Sequence, residues 1–128
     1  MNEVKPQRDP LTQLMIGAAI EVHREMGPGL LESVYQNCLE RDLQRQGVAC
    51  EPSARLPLEY KGETLDDYLV LDLCFPNQLV VELKAVTEIA PIHEAQLLTY
   101  LRLSKTRVGL LINFNVPVLK DGIKRMVL

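Results

Sequence analysis

Glu82 and Lys84 stand two residues apart in Leu79-Val-Val-Glu-Leu-Lys84, a run that is otherwise apolar. Read as a strand, it puts Val80, Glu82 and Lys84 on one face and Leu79, Val81 and Leu83 on the other. A second apolar run, Tyr68 to Phe75, carries Asp72, and the Pro76-Asn77-Gln78 between the two runs has the length of a hairpin loop. Pairing Phe75 with Leu79 and continuing the register sets Asp72 opposite Glu82, with Cβ atoms about 4.5–5.5 Å apart. Two carboxylates that close repel, and apolar strands offer little water to screen them. A divalent cation relieves the repulsion, because hard ions bind clustered carboxylate oxygens. Lys84, on the same face, then stands where it can neutralise a phosphate or help activate a water. The plain alternative has Leu83 in the core with Glu82 and Lys84 in solvent.

A second constellation follows Pro91. His93, Gln96 and Tyr100 fall at i, i+3 and i+7, a polar stripe beside Leu97, Leu98 and Leu101 on one helix. Gln96 and Tyr100, one turn apart, suit a phosphate or a metal-bound water; by themselves they also suit the boundary of a core. His93, near the helix start, also suits a cap. Glu32 comes one position after Leu31 and one turn before Tyr35, and a glutamate in a first helical turn is favoured by the helix dipole whatever else it does.

These residues need elements to hold them. Leu11, Leu14, Met15, Ala18, Ala19 and Val22 follow a helical period, with Asp9-Pro10 as N-cap and first helical residue. Gly27-Pro28-Gly29 stops that helix, and a second runs from about Leu30 to Gln46, burying Leu31, Val34, Tyr35, Cys38, Leu39 and Leu43 and ending at Gly47. Arg55 to Tyr60 reads as a strand weakened by Pro57, Lys61-Gly62-Glu63 as a turn, and Tyr68–Phe75 and Leu79–Ala85 as strands. A third helix, about Ile92 to Leu103, turns Ala95, Leu97, Leu98 and Leu101 inward. Val108–Phe114 is a strand covered on both faces, and Ile123–Leu128 forms a short last one. The order α-α-β-β-β-α-β, with a terminal β, predicts an α/β fold in which helices flank a mixed sheet. Residues 1–10 read as a tail and 11–128 as one domain.

Composition narrows the function classes. A chain of 128 residues, 47% hydrophobic and 24% charged, buries enough surface to fold without disulfides or a structural metal. No run approaches the about 20 apolar residues of a membrane span, and the polar N-terminus has no signal-peptide core. Three cysteines, Cys38, Cys50 and Cys74, without a C-x-x-C pair, suit reduced thiols in the cytoplasm. Residues 1–100 hold 8 Lys and Arg against 16 Asp and Glu, whereas residues 101–128 hold 6 (Arg102, Lys105, Arg107, Lys120, Lys124, Arg125) against Asp121 alone. A basic end on an acidic body suits a polyanion held beside carboxylates, or simply a solvated surface.

Gly29-Leu-Leu-Glu32-Ser-Val-Tyr35 fits the G-x-x-E-x-x-Y signature of the GxxExxY proteins, which the chain resembles from about Leu14 onward. The resemblance extends over Val22-His23-Arg24-Glu25, Val81-Glu82-Leu83-Lys84-Ala85, Pro91-Ile92-His93-Glu94-Ala95-Gln96 and Gly109-Leu-Leu-Ile-Asn-Phe114. That family is assigned to the PD-(D/E)XK nuclease superfamily. The resemblance therefore implies a restriction-endonuclease-like α-β-β-β-α-β core with an extra N-terminal helix. It implies that Asp72 begins the motif, that Glu82-Leu83-Lys84 is its E-x-K, and that Glu32 is a further metal ligand or its orienter. Gln96 and Tyr100 resemble the Q-x-x-x-Y element of the RecB-type exonuclease branch. Many relatives carry an arginine two residues ahead of the acid; Val70 stands there instead, and the P-D proline is also absent. The three cysteines do not match the four that hold an iron–sulfur cluster in some members, so no cluster is expected.

The function so implied is metal-dependent hydrolysis of phosphodiester bonds in nucleic acid, DNA rather than RNA, by a Mg²⁺- or Mn²⁺-dependent enzyme. Asp72, Glu82, the backbone carbonyl of Leu83 and Glu32 would be the metal ligands. Asp72, Glu82, Lys84 and Glu32 would be catalytic, with Gln96, Tyr100 and His93 positioning substrate. The alternative is an inactive nuclease-fold module that binds nucleic acid or a protein partner. No membrane is expected as a partner. So short a chain has little room for a recognition domain, so specificity would come from a homodimer or a protein partner.

Overall fold

A computed structural model describes residues 9–128; most of the tail expected over residues 1–10 lies outside the described residues. Two helices come first, α1 (Pro10–Met26) and α2 (Glu32–Arg45), followed by strands β1 (Glu51–Tyr60), β2 (Glu63–Phe75) and β3 (Leu79–Lys84). Helix α3 (Pro91–Ser104), strand β4 (Val108–Asn113), a 3-10 turn at Leu119–Gly122 and strand β5 (Ile123–Val127) complete the described chain. The strands lie in sequence order in one sheet. β3 and β4 are parallel, joined across the sheet by α3, and the other neighbours are antiparallel. This is the helix-flanked mixed sheet that the periodicity predicts, with each helix starting or ending where a local signal dictates. Asp9 caps α1 by accepting from the Thr12 N–H (3.3 Å), with Pro10 in the first turn. α2 ends in a turn that Gly47 closes at φ 71°.

The sheet has two covered faces. On one, Met15, Ala19 and Val22 of α1 and Tyr35, Leu39 and Leu43 of α2 pack on Leu73, Phe75, Leu79, Val81, Leu83, Leu110, Ile112 and Phe114. On the other, Leu97 and Leu101 of α3 pack on Leu71, Cys74, Val80 and Leu111. Each fully buried side chain of this kind contributes roughly 1.5–3 kcal/mol. The split confirms the two faces expected of the Leu79–Lys84 run.

Four expectations need correction. Leu31 is 74% exposed and is the N-cap of α2, so the helix begins at Glu32 and its buried stripe begins at Val34 and Tyr35. Ala95 is exposed too, because α3 lies on the sheet through Leu97 and Leu101 alone of its fully buried residues. β1 begins at Glu51 rather than Arg55, and its two prolines are tolerated because β1 is an edge strand. β2 begins at Glu63 rather than Tyr68: Tyr60 and Glu63 pair across a two-residue turn with Lys61 (φ 50°) and Gly62 (φ 84°) both left-handed. Residues 59–68 are exposed on both faces, so this part of the hairpin carries no alternation to read. It overhangs the core as a two-stranded ribbon.

Tyr35 shows what the G-x-x-E-x-x-Y spacing does physically. Its ring is fully buried and stacks on Phe114 at 4.3 Å and 9°. Its hydroxyl donates to the Gly27 carbonyl (2.6 Å) and accepts from the Leu30 N–H (3.1 Å). One phenol thus ties down the loop, bent through left-handed Gly27 and Gly29, that delivers Glu32 to the start of α2. Tyr35→Phe keeps the stack and orphans both backbone groups, so it should cost about 1–2 kcal/mol in urea unfolding. An unchanged unfolding midpoint would show that the loop holds itself.

Candidate active site

Asp72 and Glu82 meet where β2 and β3 begin to part. The strands pair regularly through Phe75↔Leu79, Cys74↔Val80 and Leu73↔Val81, the register expected from the hairpin length. One step further, side chains complete the ladder. The Asp72 N–H donates to Glu82 Oε2 (2.9 Å), and the Leu83 N–H donates to Asp72 Oδ2 (2.8 Å). Each carboxylate therefore has one oxygen on the backbone of the opposite strand, while Asp72 Oδ1 and Glu82 Oε1 have no protein partner among the described residues.

A local irregularity makes this possible. Leu71 and Cys74 both pack on the α3 side although they are three residues apart, so the alternation of β2 slips between them. The slip falls beside Ser53, whose φ of 49° lies between the pairs Pro52↔Leu73 and Ala54↔Leu71. It turns Asp72 into the plane of the sheet, towards β3.

The carboxylates are hard to ionise together. Glu82 is 5% exposed, and burial first, then the Asp72 charge, pushes its carboxyl up to about 8. Asp72 is raised too, by burial and by Glu32, against the lowering pull of the Leu83 N–H and of Lys84. Burial, then the charges of Glu82 and Asp72, raises the Tyr100 hydroxyl, which therefore stays protonated as a donor beside them.

The other expected residues are placed as follows. Lys84, half-buried on the face shared with Glu82, donates from Nζ to Gln96 Oε1 (3.2 Å), so β3 and α3 meet at the site. Glu32, exposed in the first turn of α2, is near enough for its charge to raise both carboxyls. It lines an open depression of ≈ 540 Å³ with Gly29, Leu30, Leu31, Ser33, Ala85 and Asn115. His93 is committed to its own helix: Nδ1 accepts from the Ala90 N–H (2.9 Å), and the His93 N–H returns a bond to the Ala90 carbonyl (2.9 Å). It thus caps α3, and its ring carries any neutral-state proton on Nε2.

Among the described residues no three His, Cys, Asp or Glu side chains are gathered closely enough to grip an ion. Two facing carboxylates, each with a spare oxygen, still fit a hard dication such as Mg²⁺, which uses one or two carboxylates and keeps several waters. Leu83 fits as well: its N–H points towards β2, and in a strand its carbonyl emerges on that same side.

Two positioning residues carried no signal in the sequence. Gln36, one turn after Glu32, donates from Nε2 to the Asp72 carbonyl and to Ser53 Oγ (3.1 Å each), tying α2 to the irregular point of the sheet. Asn113, 1% exposed, accepts from the Val86 N–H (3.0 Å) and donates to the Val86 carbonyl (2.9 Å). It extends the β3–β4 pairing by a side chain and fixes the exit of the strand that carries Lys84. Both act through backbone atoms, which leave no residue-type signature.

At least three of the six C-terminal bases are engaged or placed elsewhere than beside the carboxylates. Lys124 pairs with Glu94 (3.0 Å) and Arg125 with Asp9 (3.8 Å). Arg107 just precedes β4, which runs parallel to β3, so it lies beyond the Val80 end of the sheet, roughly 15–20 Å from Lys84 at strand rise.

The sequence profile of the PD-(D/E)XK nuclease superfamily matches residues 9–126. The chain belongs to that superfamily, and its mixed sheet flanked by helices is the restriction-endonuclease-like fold. Its members are nucleases that generally use divalent metals such as Mg²⁺ or Mn²⁺. No curated protein and no solved structure matches the chain. No helix among the described residues is long and apolar enough to cross a membrane.

The pair has a signature in stability. Folded Glu82 holds its proton up to about pH 8, whereas an ordinary glutamate loses it near 4.5. The native state then binds more protons than the unfolded chain, so metal-free stability should fall as pH rises through that window. Glu82→Gln can still accept from Asp72; it should flatten the slope and gain on the order of 2 kcal/mol near pH 8. Urea unfolding in chelator across the window checks both, and a wild-type slope that Gln does not change would remove Glu82 as its source.

Proposed function

We propose that the protein is a GxxExxY-type member of its superfamily and a metal-dependent nuclease that hydrolyses phosphodiester bonds in nucleic acid, DNA in the first instance. The observation that carries this reading is the facing pair: two carboxylates, one buried, each bonded through one oxygen to the opposite strand and each with the other oxygen free of partners among the described residues. Asp72, Glu82 and the Leu83 carbonyl would hold Mg²⁺ or Mn²⁺, with Glu32 assisting directly or through water. When bound, such an ion lowers the pKa of a coordinated water and stabilises charge on the phosphoryl oxygens.

The chain's own residues do the rest. Lys84 is held by Gln96 on the carboxylate face, where its ammonium orients the attacking water or offsets negative charge developing on phosphate. Tyr100, protonated beside the carboxylates, donates to the scissile phosphate from the α3 side. Gln96 fixes Lys84 and with Tyr100 orients that phosphate. His93 acts by capping α3 and so holding Gln96 and Tyr100 in place. Gln36 and Asn113 keep the two strands parted at the right point. The free thiols of Cys38, Cys50 and Cys74 support a reducing, cytoplasmic setting.

A metal titration tests the pair. Mn²⁺ should raise the thermal midpoint of wild type and leave Asp72→Asn unmoved; a ligand at a hundred times its Kd adds about 2.7 kcal/mol to the folded state. Lys84→Ala should keep that response and lose cleavage of labelled DNA by at least about 100-fold. Wild type that neither responds to Mn²⁺, with or without oligonucleotide, nor cuts DNA or RNA would sink the nuclease reading.

A further inference from the structure

Arg55 is the exposed cation nearest in the register to the carboxylate pair on the ribbon side. It pairs across the strands with Val70, two residues and about 7 Å along β2 from Asp72. Its guanidinium lies over the Tyr68 ring, 4.6 Å from the centroid. Tyr68 is 45% exposed and Val70 44%, so these three neighbours form an open surface. Among the described residues Arg55 makes no ion pair, unlike Lys124 and Arg125.

The face is fixed by its neighbours. Ser53 receives a hydrogen bond from Gln36 of α2, and Ala54 packs with the α3-side cluster. Arg55, one residue beyond Ala54, therefore points to the α2 side, the side from which Glu32 approaches. A guanidinium stacked on an aromatic ring is held flat, with its N–H edge and its outer face still available. That arrangement suits a phosphate on the edge and a base against the open face. Drawn over Tyr68, the guanidinium stands four residues, or about 13 Å, along β2 from Asp72, and so small a patch suits a strand of nucleic acid passing the acidic pair better than a second protein.

We propose that Arg55, stacked on Tyr68, is a substrate-backbone contact that holds a flanking phosphate, beyond the one adjacent to the scissile bond, on a single strand of nucleic acid. The proposal rests on the nuclease reading for its substrate. It gives the acidic body a cation on the side of the sheet opposite α3. The ribbon tip carries Glu59, Glu63, Asp66 and Asp67 against Lys61, so only the root of the ribbon serves as the contact.

The probe is a fluorescein-labelled single strand of DNA of about 12 nucleotides, within the span that one small domain covers. Binding is followed by anisotropy with Ca²⁺ present, and cleavage with Mg²⁺. Arg55→Ala should weaken binding by about fivefold or more and lower the slope of log K against log salt by about 0.7, one phosphate contact on a single strand. Arg55→Lys should fall between, since it keeps the charge without the flat stack, and Tyr68→Ala should move the same way. In turnover the loss belongs in KM rather than kcat. Arg55→Gln serves as a second variant, and matched thermal midpoints establish that the variants are folded.

Folded Arg55 variants that bind within twofold of wild type at an unchanged salt slope would overturn the proposal, and so would a wild type that does not bind the strand. Cleavage independent of Arg55 would remove only this subsite. Arg55-dependent binding without cleavage by wild type would remove the nuclease reading and leave the contact in place.

Discussion

A carboxylate 5% exposed and facing another carboxylate is the constraint around which this fold is organised. Burying Glu82 without a partner would cost several kcal/mol, and Asp72 beside it raises that cost. Two things limit it. Backbone N–H groups of Asp72 and Leu83 reach across to satisfy one oxygen of each acid, and the proton is retained well into the neutral range. Both depend on β2 and β3 pairing closely up to Leu73↔Val81 and then ceasing to pair through their backbones. Closer pairing would consume the N–H groups in a ladder, and wider parting would strand the acids.

The surrounding elements hold that fork open. β3 is anchored from the other side by β4, in register from Val80↔Gly109 to Lys84↔Asn113, and by leucines and valines buried on both faces. Asn113 carries the pairing to Val86, two residues past the end of β3. On the α2 side, Tyr35 locks the loop ahead of Glu32 while Gln36 grips the Asp72 carbonyl, so one helix face from 32 to 36 serves both the acid and the strand it faces. On the α3 side, His93 starts the helix, Gln96 reaches Lys84 and Tyr100 lies by the carboxylates. His93, which looks like site chemistry in the sequence, also caps its helix through Nδ1, while Gln36 bonds the site's backbone from α2.

Much of this was legible in the residues, and the limits follow from physics. Strict alternation in Leu79–Lys84 and a hairpin-length loop were enough to bring Asp72 and Glu82 face to face, because strand register propagates without further information. Gln36 and Asn113 were not legible, since both bond backbone atoms whose positions exist only in the folded chain. The ribbon was missed because residues exposed on both faces obey no period. Leu31 was misplaced because an N-cap adjoins the helical stripe without belonging to it. The basic C-terminal segment misled in a different way: charge summed along the chain says nothing of where α3 and β4 send Arg102 and Arg107.

That last failure bears on how a polyanion reaches the site. The chain carries a net charge of −3, and the carboxylates add their own field at the point of chemistry, so long-range attraction cannot deliver nucleic acid there. Opposite charge must be supplied at short range. On the proposed reading a bound dication would supply some of it and Lys84 more on the α3 side, while Arg55, which makes no ion pair among the described residues, stands on the α2 side. Such a site would then hold substrate weakly without metal and strongly only when a phosphate meets the ion and Lys84 while the strand runs on to Arg55. On that reading discrimination would reside in the bridged geometry rather than in general affinity for polyanions, for which an acidic protein has little field to offer.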